Sequence, residues 1–289
     1  MKNILIAIFV SILAAFATVK LAAPPAPSSA AVSQQTVFDR IMKTRVLRCG
    51  YVPYAPYLMK DPKTGEISGI FHDLTEKMAA LLSLKVEWTT ETSFVTFVED
   101  IKSGRYDVYC GGLWPESAKA YGVQYSMPVN YVGLGIYVRK DDPRFDAGYS
   151  ILNAPEYKFA TLDGEMSQLI KAEDFPRAAE SSHTQHSDIG QLLTDVLTKK
   201  ADAVIVERSV IAEYEMTNPA AFKDVTQGHL IRLYPNTWAV KMGENNLIAM
   251  INTTLDEMLN SGFVEKTVKK YEKAPGSFYP VARPFREGK

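Results

Sequence analysis

Residues 102–110 read Lys102-Ser103-Gly104-Arg105-Tyr106-Asp107-Val108-Tyr109-Cys110, and residues 199–206 read Lys199-Lys200-Ala201-Asp202-Ala203-Val204-Ile205-Val206. Each stretch follows a one-faced apolar pattern: Phe94, Phe97, Val98 and Ile101 before the first, and Ile189, Leu192, Leu193, Val196 and Leu197 before the second. Recurrence at three and four residues marks an amphipathic helix. Gly104 is placed to end the first helix. A basic turn follows in both, and then an aspartate opens a short strand, Asp107–Cys110 in one half and Asp202–Val206 in the other. A unit of helix, basic turn and strand therefore occurs twice, which points to two similar α/β lobes rather than one large sheet.

Outward from these stretches the alternation continues. Arg45–Tyr51 reads as a buried strand, closed by Pro53 and Pro56, and Lys63-Thr64-Gly65-Glu66 as a turn. Asp73 can cap a helix whose Leu74, Met78, Leu81 and Leu82 share a face. Lys85–Thr89 alternates as a strand. Lys158–Leu162 reads as a strand opening into a helix after Asp163-Gly164. Residues 246–271 are helical, with a break at Ser261-Gly262. Strand, helix, strand, helix, strand is the signature of parallel sheets covered by helices.

Composition narrows the function. The chain has 289 residues, 46% of them hydrophobic and 22% charged, which excludes a disordered chain. Lys and Arg number 32 against 33 acids, so general affinity for nucleic acid is not expected. Two cysteines cannot build a four-thiolate zinc site. His183 and His186 are too few ligands for a metal and read as part of a solvated loop, and no cofactor is expected. Lys2, the apolar run Ile4–Val19 and the small residues Ser28 and Ala30 describe an export signal over residues 1–30. A retained N-terminal anchor is the alternative. Either way the folded part lies outside the cytoplasm, in the periplasm.

Four motifs occur in a telling order: Tyr54-Ala55-Pro56-Tyr57, Gly65-Glu66-Ile67-Ser68-Gly69, Lys102 to Val108, and Lys199 to Val204, closed by Leu259-Asn260-Ser261-Gly262-Phe263. Together they resemble family 3 of the bacterial extracellular solute-binding proteins, the periplasmic amino-acid-binding components of ABC importers. The resemblance implies a type II periplasmic-binding-protein fold: two α/β lobes joined by a two-strand hinge, with ligand held between them. The expected organisation is a signal over 1–30, a linker over 31–44, lobe 1 over 45–129 plus 236–275, lobe 2 over 130–235 and a tail over 276–289. The hinge strands would pass near Pro128–Tyr131 and Leu233–Asn236. The implied partners are a small amino acid or amine and a membrane permease, with the protein itself a monomer.

Site residues follow from strand ends, where open α/β sheets collect their ligands. Tyr54 lies where the family stacks an aromatic on the ligand. Tyr51 occupies a strand tip; it and Tyr57 also read as structural. Gly111-Gly112 would admit a ligand close to the backbone, or simply make a turn. Trp114 is a stacking wall or a packing residue. Lys119 takes the place of the family's carboxylate-binding arginine, offering a point charge instead of a planar fork, or is simply a solvated helix lysine. Glu165 replaces a residue of an anion-binding turn and either caps the following helix or faces the cleft. Glu207 falls where the family carries an amine-binding acid; a salt bridge to Arg208 or a nearby lysine is the alternative. Lys119 with Glu207 suits a zwitterion, whereas two carboxylates among aromatics suit an organic cation. Cys49 and Cys110 end strands that this fold sets side by side and are expected as two buried thiols, with a disulfide as the alternative. The main reading is non-catalytic; a cyclohexadienyl-dehydratase-like enzyme and a membrane-tethered sensor are the alternatives.

Overall fold

A left-handed residue, Arg45 (φ 59°), ends the first helix and turns the chain into the first strand. That helix, α1 (Val37–Thr44), starts from a capping box in which the Thr36 hydroxyl accepts from the Asp39 amide. The segment expected as a linker is therefore partly helical, because Thr36, Asp39 and the buried Ile41 give it a cap and an apolar anchor. The computed structural model describes residues 35–184 and 189–281. The export signal expected over 1–30, His186 and most of the 276–289 tail lie outside the described residues.

After α1 come β1 (Val46–Tyr51), β2 (Met59–Lys60), β3 (Ile67–Ser68), α2 (Ile70–Leu81), β4 (Lys85–Glu91), α3 (Phe97–Lys102), β5 (Val108–Leu113) and β6 (Val123–Tyr125). The chain then crosses along β7 (Asn130–Arg139) into β8 (Lys158–Leu162), α4 (Met166–Asp174), β9 (Ala179–His183), α5 (Ile189–Leu197), β10 (Ala203–Glu207), α6 (Arg208–Glu215) and β11 (Phe222–Asp224). It returns along β12 (Arg232–Lys241) to α7 (Asn245–Asn260), α8 (Phe263–Tyr271) and β13 (Phe278–Tyr279). Among the described residues no helix is long and apolar enough to cross a membrane.

In the first lobe β4, β1 and β5 run parallel, in that order. In the second, β9, β8 and β10 run parallel, with β7 antiparallel to β10. Strand β12 joins them. Its first half pairs with β7, Pro235 opposite Tyr131 and Asn236 opposite Asn130, and its second half pairs with β5 and β6. The ladder is thus continuous from lobe to lobe through one long strand that changes partners at Asn236/Thr237. The two expected crossings meet at this point. The tail joins the same place, since β13 pairs with Val132 and Tyr131 of β7.

Buried Trp238 of β12 anchors the first lobe, packing edge-on against Phe71 at 5.5 Å and donating to Thr75 Oγ1 at 3.1 Å. Asp73 does not cap α2. The helix begins earlier, at Ile70, after Gly69 (φ 119°), where a Cβ would stand 2.7 Å from the Tyr57 carbonyl oxygen. Asp73 instead accepts from Lys270 Nζ at 2.7 Å and Tyr271 Oη at 3.0 Å, tying α2 to α8.

The cysteines also correct the expectation. Cys49 and Cys110 form a disulfide with their Cα atoms 5.5 Å apart. Direct cross-strand pairs on parallel strands rarely suit a bridge, but Cys49 pairs with Val108, so Cys110 lies diagonally two residues on, within bridging range. His183 sits on edge strand β9 with Nε2 at 2.8 Å from Asp195 Oδ2, not in a solvated loop.

Candidate ligand-binding site

Strand ends from both lobes converge on one cleft. β5 delivers Gly111, Gly112 and Leu113 at its end and Trp114 just beyond; the turn after β8 delivers Gly164 and Glu165; β10 delivers Glu207. The loop after β1 adds Tyr54 and Tyr57, and the strand change in β12 adds Asn236. Carboxyl ends of parallel strands are where loops are free to vary and to hold a ligand.

Glu207 is the most deeply enclosed charge in the cleft, 1% exposed. Its Oε2 accepts from the Tyr54 hydroxyl at 3.1 Å. The Tyr57 hydroxyl lies beside it and shares a hydrogen bond with Ser209 Oγ at 3.3 Å. Burial, and then the charge of Glu165, push the Glu207 carboxyl up to about 7, against the pull of its hydrogen-bond donors. Burial and the charge of Glu207 likewise push the Tyr54 hydroxyl well up, so it serves as a neutral donor.

Glu165 is 6% exposed and holds two roles at once. It is the N-cap of α4, accepting from the Ser167 amide at 2.8 Å and from the Ser167 hydroxyl, and it also lines the cleft. Burial raises its pKa, while those donors and Lys119 pull it back down.

Lys119 is the last residue of a single helical turn, Ser117–Lys119. Its Nζ meets Glu116 Oε2 at 2.6 Å and donates to the Gly164 carbonyl at 3.2 Å, linking the first lobe to the second. Trp114 stacks on Tyr234 with ring centroids 5.0 Å apart and planes 8° from parallel, and its Nε1 donates to Asn236 Oδ1 at 2.9 Å. Gly112 (φ 81°) leaves no room for a side chain, since a Cβ would stand 2.7 Å from the Phe71 ring.

Six of the seven expected residues meet at this cleft: Tyr54, Gly112, Trp114, Lys119, Glu165 and Glu207. Tyr51 is not among the lining residues. Its side chain turns to the other neighbour of β1 and packs edge-on against Trp88 of β4 at 5.9 Å. Sequence reasoning missed four of the lining residues used here. Tyr57 shares the Tyr54 motif but reads as structural, and Glu116 stands three residues before Lys119, a spacing that announces an ion pair. Asn236 and Phe94 carry no local signal, because only the strand crossing and the lobe contact bring them in. Among the described residues no group of three or more His, Cys, Asp or Glu could hold a metal.

The family model for bacterial extracellular solute-binding proteins, family 3, matches residues 47–274. A probable amino-acid ABC transporter-binding protein of Haemophilus influenzae is 23% identical over 234 residues, covering 80% of this chain and 86% of its own. The crystal structure of an ancestral amino-acid-binding protein, a precursor of cyclohexadienyl dehydratase, is 26% identical with a TM-score of 0.72, covering 82% of this chain and 100% of its own. A putative ABC-transporter binding component of Wolinella succinogenes, solved with lysine, shares the fold at a TM-score of 0.71 and 21% identity, over 80% of this chain and 97% of its own. With its two lobes, crossing strands and convergent strand ends, this chain belongs to family 3 of the bacterial extracellular solute-binding proteins.

Proposed function

We propose that the chain captures a small amine-bearing solute, an amino acid or related amine, between its lobes and hands it to the membrane permease of an ABC importer. The observation that carries the reading is Glu207: a carboxylate at a strand end, enclosed by two tyrosines, with no cationic side chain paired to it among the described residues. A buried charge persists only when paired or when neutralised by a shifted pKa, and an ammonium ligand supplies the missing pair. The named roles of the relatives support the same reading. The protein acts as an exported monomer in the periplasm, and segments 45–129 plus 236–275 and 130–235 move as the two closing bodies. Closure over the solute forms the surface that a permease recognises.

A thermal-shift screen over amino acids, polyamines, betaines and simple carboxylates tests this reading, because a ligand of the folded state raises the melting temperature by mass action. The expected result is stabilisation by amine-bearing compounds alone, lost in Glu207→Gln. Stabilisation by carboxylates without an amine, unchanged in the variant, contradicts it.

The ancestral relative invites an enzymatic reading, dehydration of an arogenate- or prephenate-like substrate. The cleft opposes it: Glu116, Glu165 and Glu207 face one lysine, a poor setting for a substrate bearing carboxylates. Incubation with prephenate is expected to give no aromatic product; its appearance would establish the enzyme.

A further inference from the structure

The donors that line the cleft are already spoken for. Lys119, the one cationic side chain in the lining, has its charge matched by Glu116 at 2.6 Å and donates again to Gly164 O. The first turn of α4 would otherwise offer free amides to an anion, but the Glu165 carboxylate accepts from Ser167. Asn236 donates its amide to Asn130 Oδ1 at 3.3 Å and accepts from Trp114. The tyrosine hydroxyls serve Glu207 and Ser209. The acceptors are in surplus: three glutamates line the cleft against one lysine.

A ligand carboxylate entering here must displace a protein carboxylate from its donors or remain without a partner, and a buried unpaired carboxylate is costly. An ammonium group meets the opposite situation at Glu207. From this imbalance we infer that the cleft selects an organic amine without a carboxylate, such as an alkyl diamine, over the α-amino acid of the same skeleton. A dication also balances the excess of acids, and the aromatic faces of Tyr54 and Phe94 cover its methylene chain. The inference rests on the amine cleft of the preceding section and narrows its ligand.

Cadaverine and L-lysine share one carbon chain and two amines and differ by the α-carboxylate, so calorimetric titration of each into the full chain isolates that group. Cadaverine is expected to bind on the order of tenfold or more tighter than L-lysine. Lysine binding as tightly as cadaverine, or more tightly, overturns the inference and leaves the amine cleft standing. Binding of neither overturns both. A second variant tests the cause without touching Glu207: Glu116→Gln removes one cleft acid and frees Lys119, and is expected to shift the preference toward L-lysine by about tenfold, with lysine bound more tightly and cadaverine more weakly. An unaltered preference in a folded Glu116→Gln protein overturns the account of the committed donors.

Discussion

The chain places acids at both ends of its parallel strands and treats them in opposite ways. At the starting ends, Asp107 and Asp202 belong to the two repeated stretches that reveal the fold. The Asp107 side chain has no exposure and is held by Arg40, by Arg48 Nη2 at 2.8 Å and by the Arg48 amide at 2.8 Å. Asp202 takes Arg144 Nη2 at 2.7 Å and the Lys158 amide at 3.0 Å. At the finishing end, Glu207 has tyrosine hydroxyls and, among the described residues, no cationic side chain paired to it. The structural acids are paired with cations; on the proposed reading, the acid in the cleft gains its cation from a guest. Sequence prominence and functional charge therefore sit at opposite ends of the strands.

The largest effect that could break this contrast is expected from Asp107→Asn. It leaves two arginines facing a neutral amide and should lower unfolding free energy by about 4 kcal/mol, read by chemical denaturation. A loss under about 1 kcal/mol would mean that Asp107 is not a structural charge. Glu207→Gln should do the reverse: unfolding free energy unchanged or raised, and binding of an amine ligand weakened by about 3 kcal/mol in calorimetry. Equal stability losses in the two variants would erase the distinction.

Acidity offers a third test. Because the Glu207 carboxyl stands at about 7 in the folded protein against an ordinary 4.5, the folded state holds its proton across that interval while the unfolded chain has released it. The Glu207 contribution is thus fully favourable below about 4.5 and falls as pH rises toward 7, a loss of roughly 2–3 kcal/mol. Stability of the ligand-free protein should decline over that range, and the slope should flatten in Glu207→Gln. A wild-type slope matching that of the variant would show that Glu207 is ionised without a partner. The smallest expected effect comes from Trp114→Ala. Half-buried between Tyr234 and the cleft, its loss should cost about 1–2 kcal/mol of stability and remove the ligand-induced change in tryptophan fluorescence. The other tryptophans cannot replace that signal: Trp238 is buried in the first lobe, and Trp88 stacks on His72 outside the cleft lining. A preserved fluorescence change would place the ligand elsewhere.

The fold was legible where apolar periodicity and turn chemistry agree. Strand Lys158–Leu162 and helix Ile189–Leu197 have the boundaries expected of them, and the helical tail breaks at Gly262. Glu165 and Glu207 were legible as strand-end acids because the strands before them were. What required coordinates is what crosses between segments. Asn236 reaches the cleft because β12 changes partners at that residue. Tyr51 leaves it because its ring packs against Trp88 of β4, a contact between segments that no local pattern reports. The disulfide depends on a diagonal register between β1 and β5 that the sequence does not specify. The pairing of Lys119 with Glu116 fits neither sequence reading of that lysine, as an anion contact or as a solvated charge: it lines the cleft with its charge already matched.

A crystal structure of the protein with a bound amine tests the central claim most directly. The account predicts the ligand ammonium within about 3 Å of the Glu207 carboxylate, among Tyr54, Tyr57 and Trp114. An ammonium held elsewhere, with Glu207 still facing only its tyrosines, would contradict it.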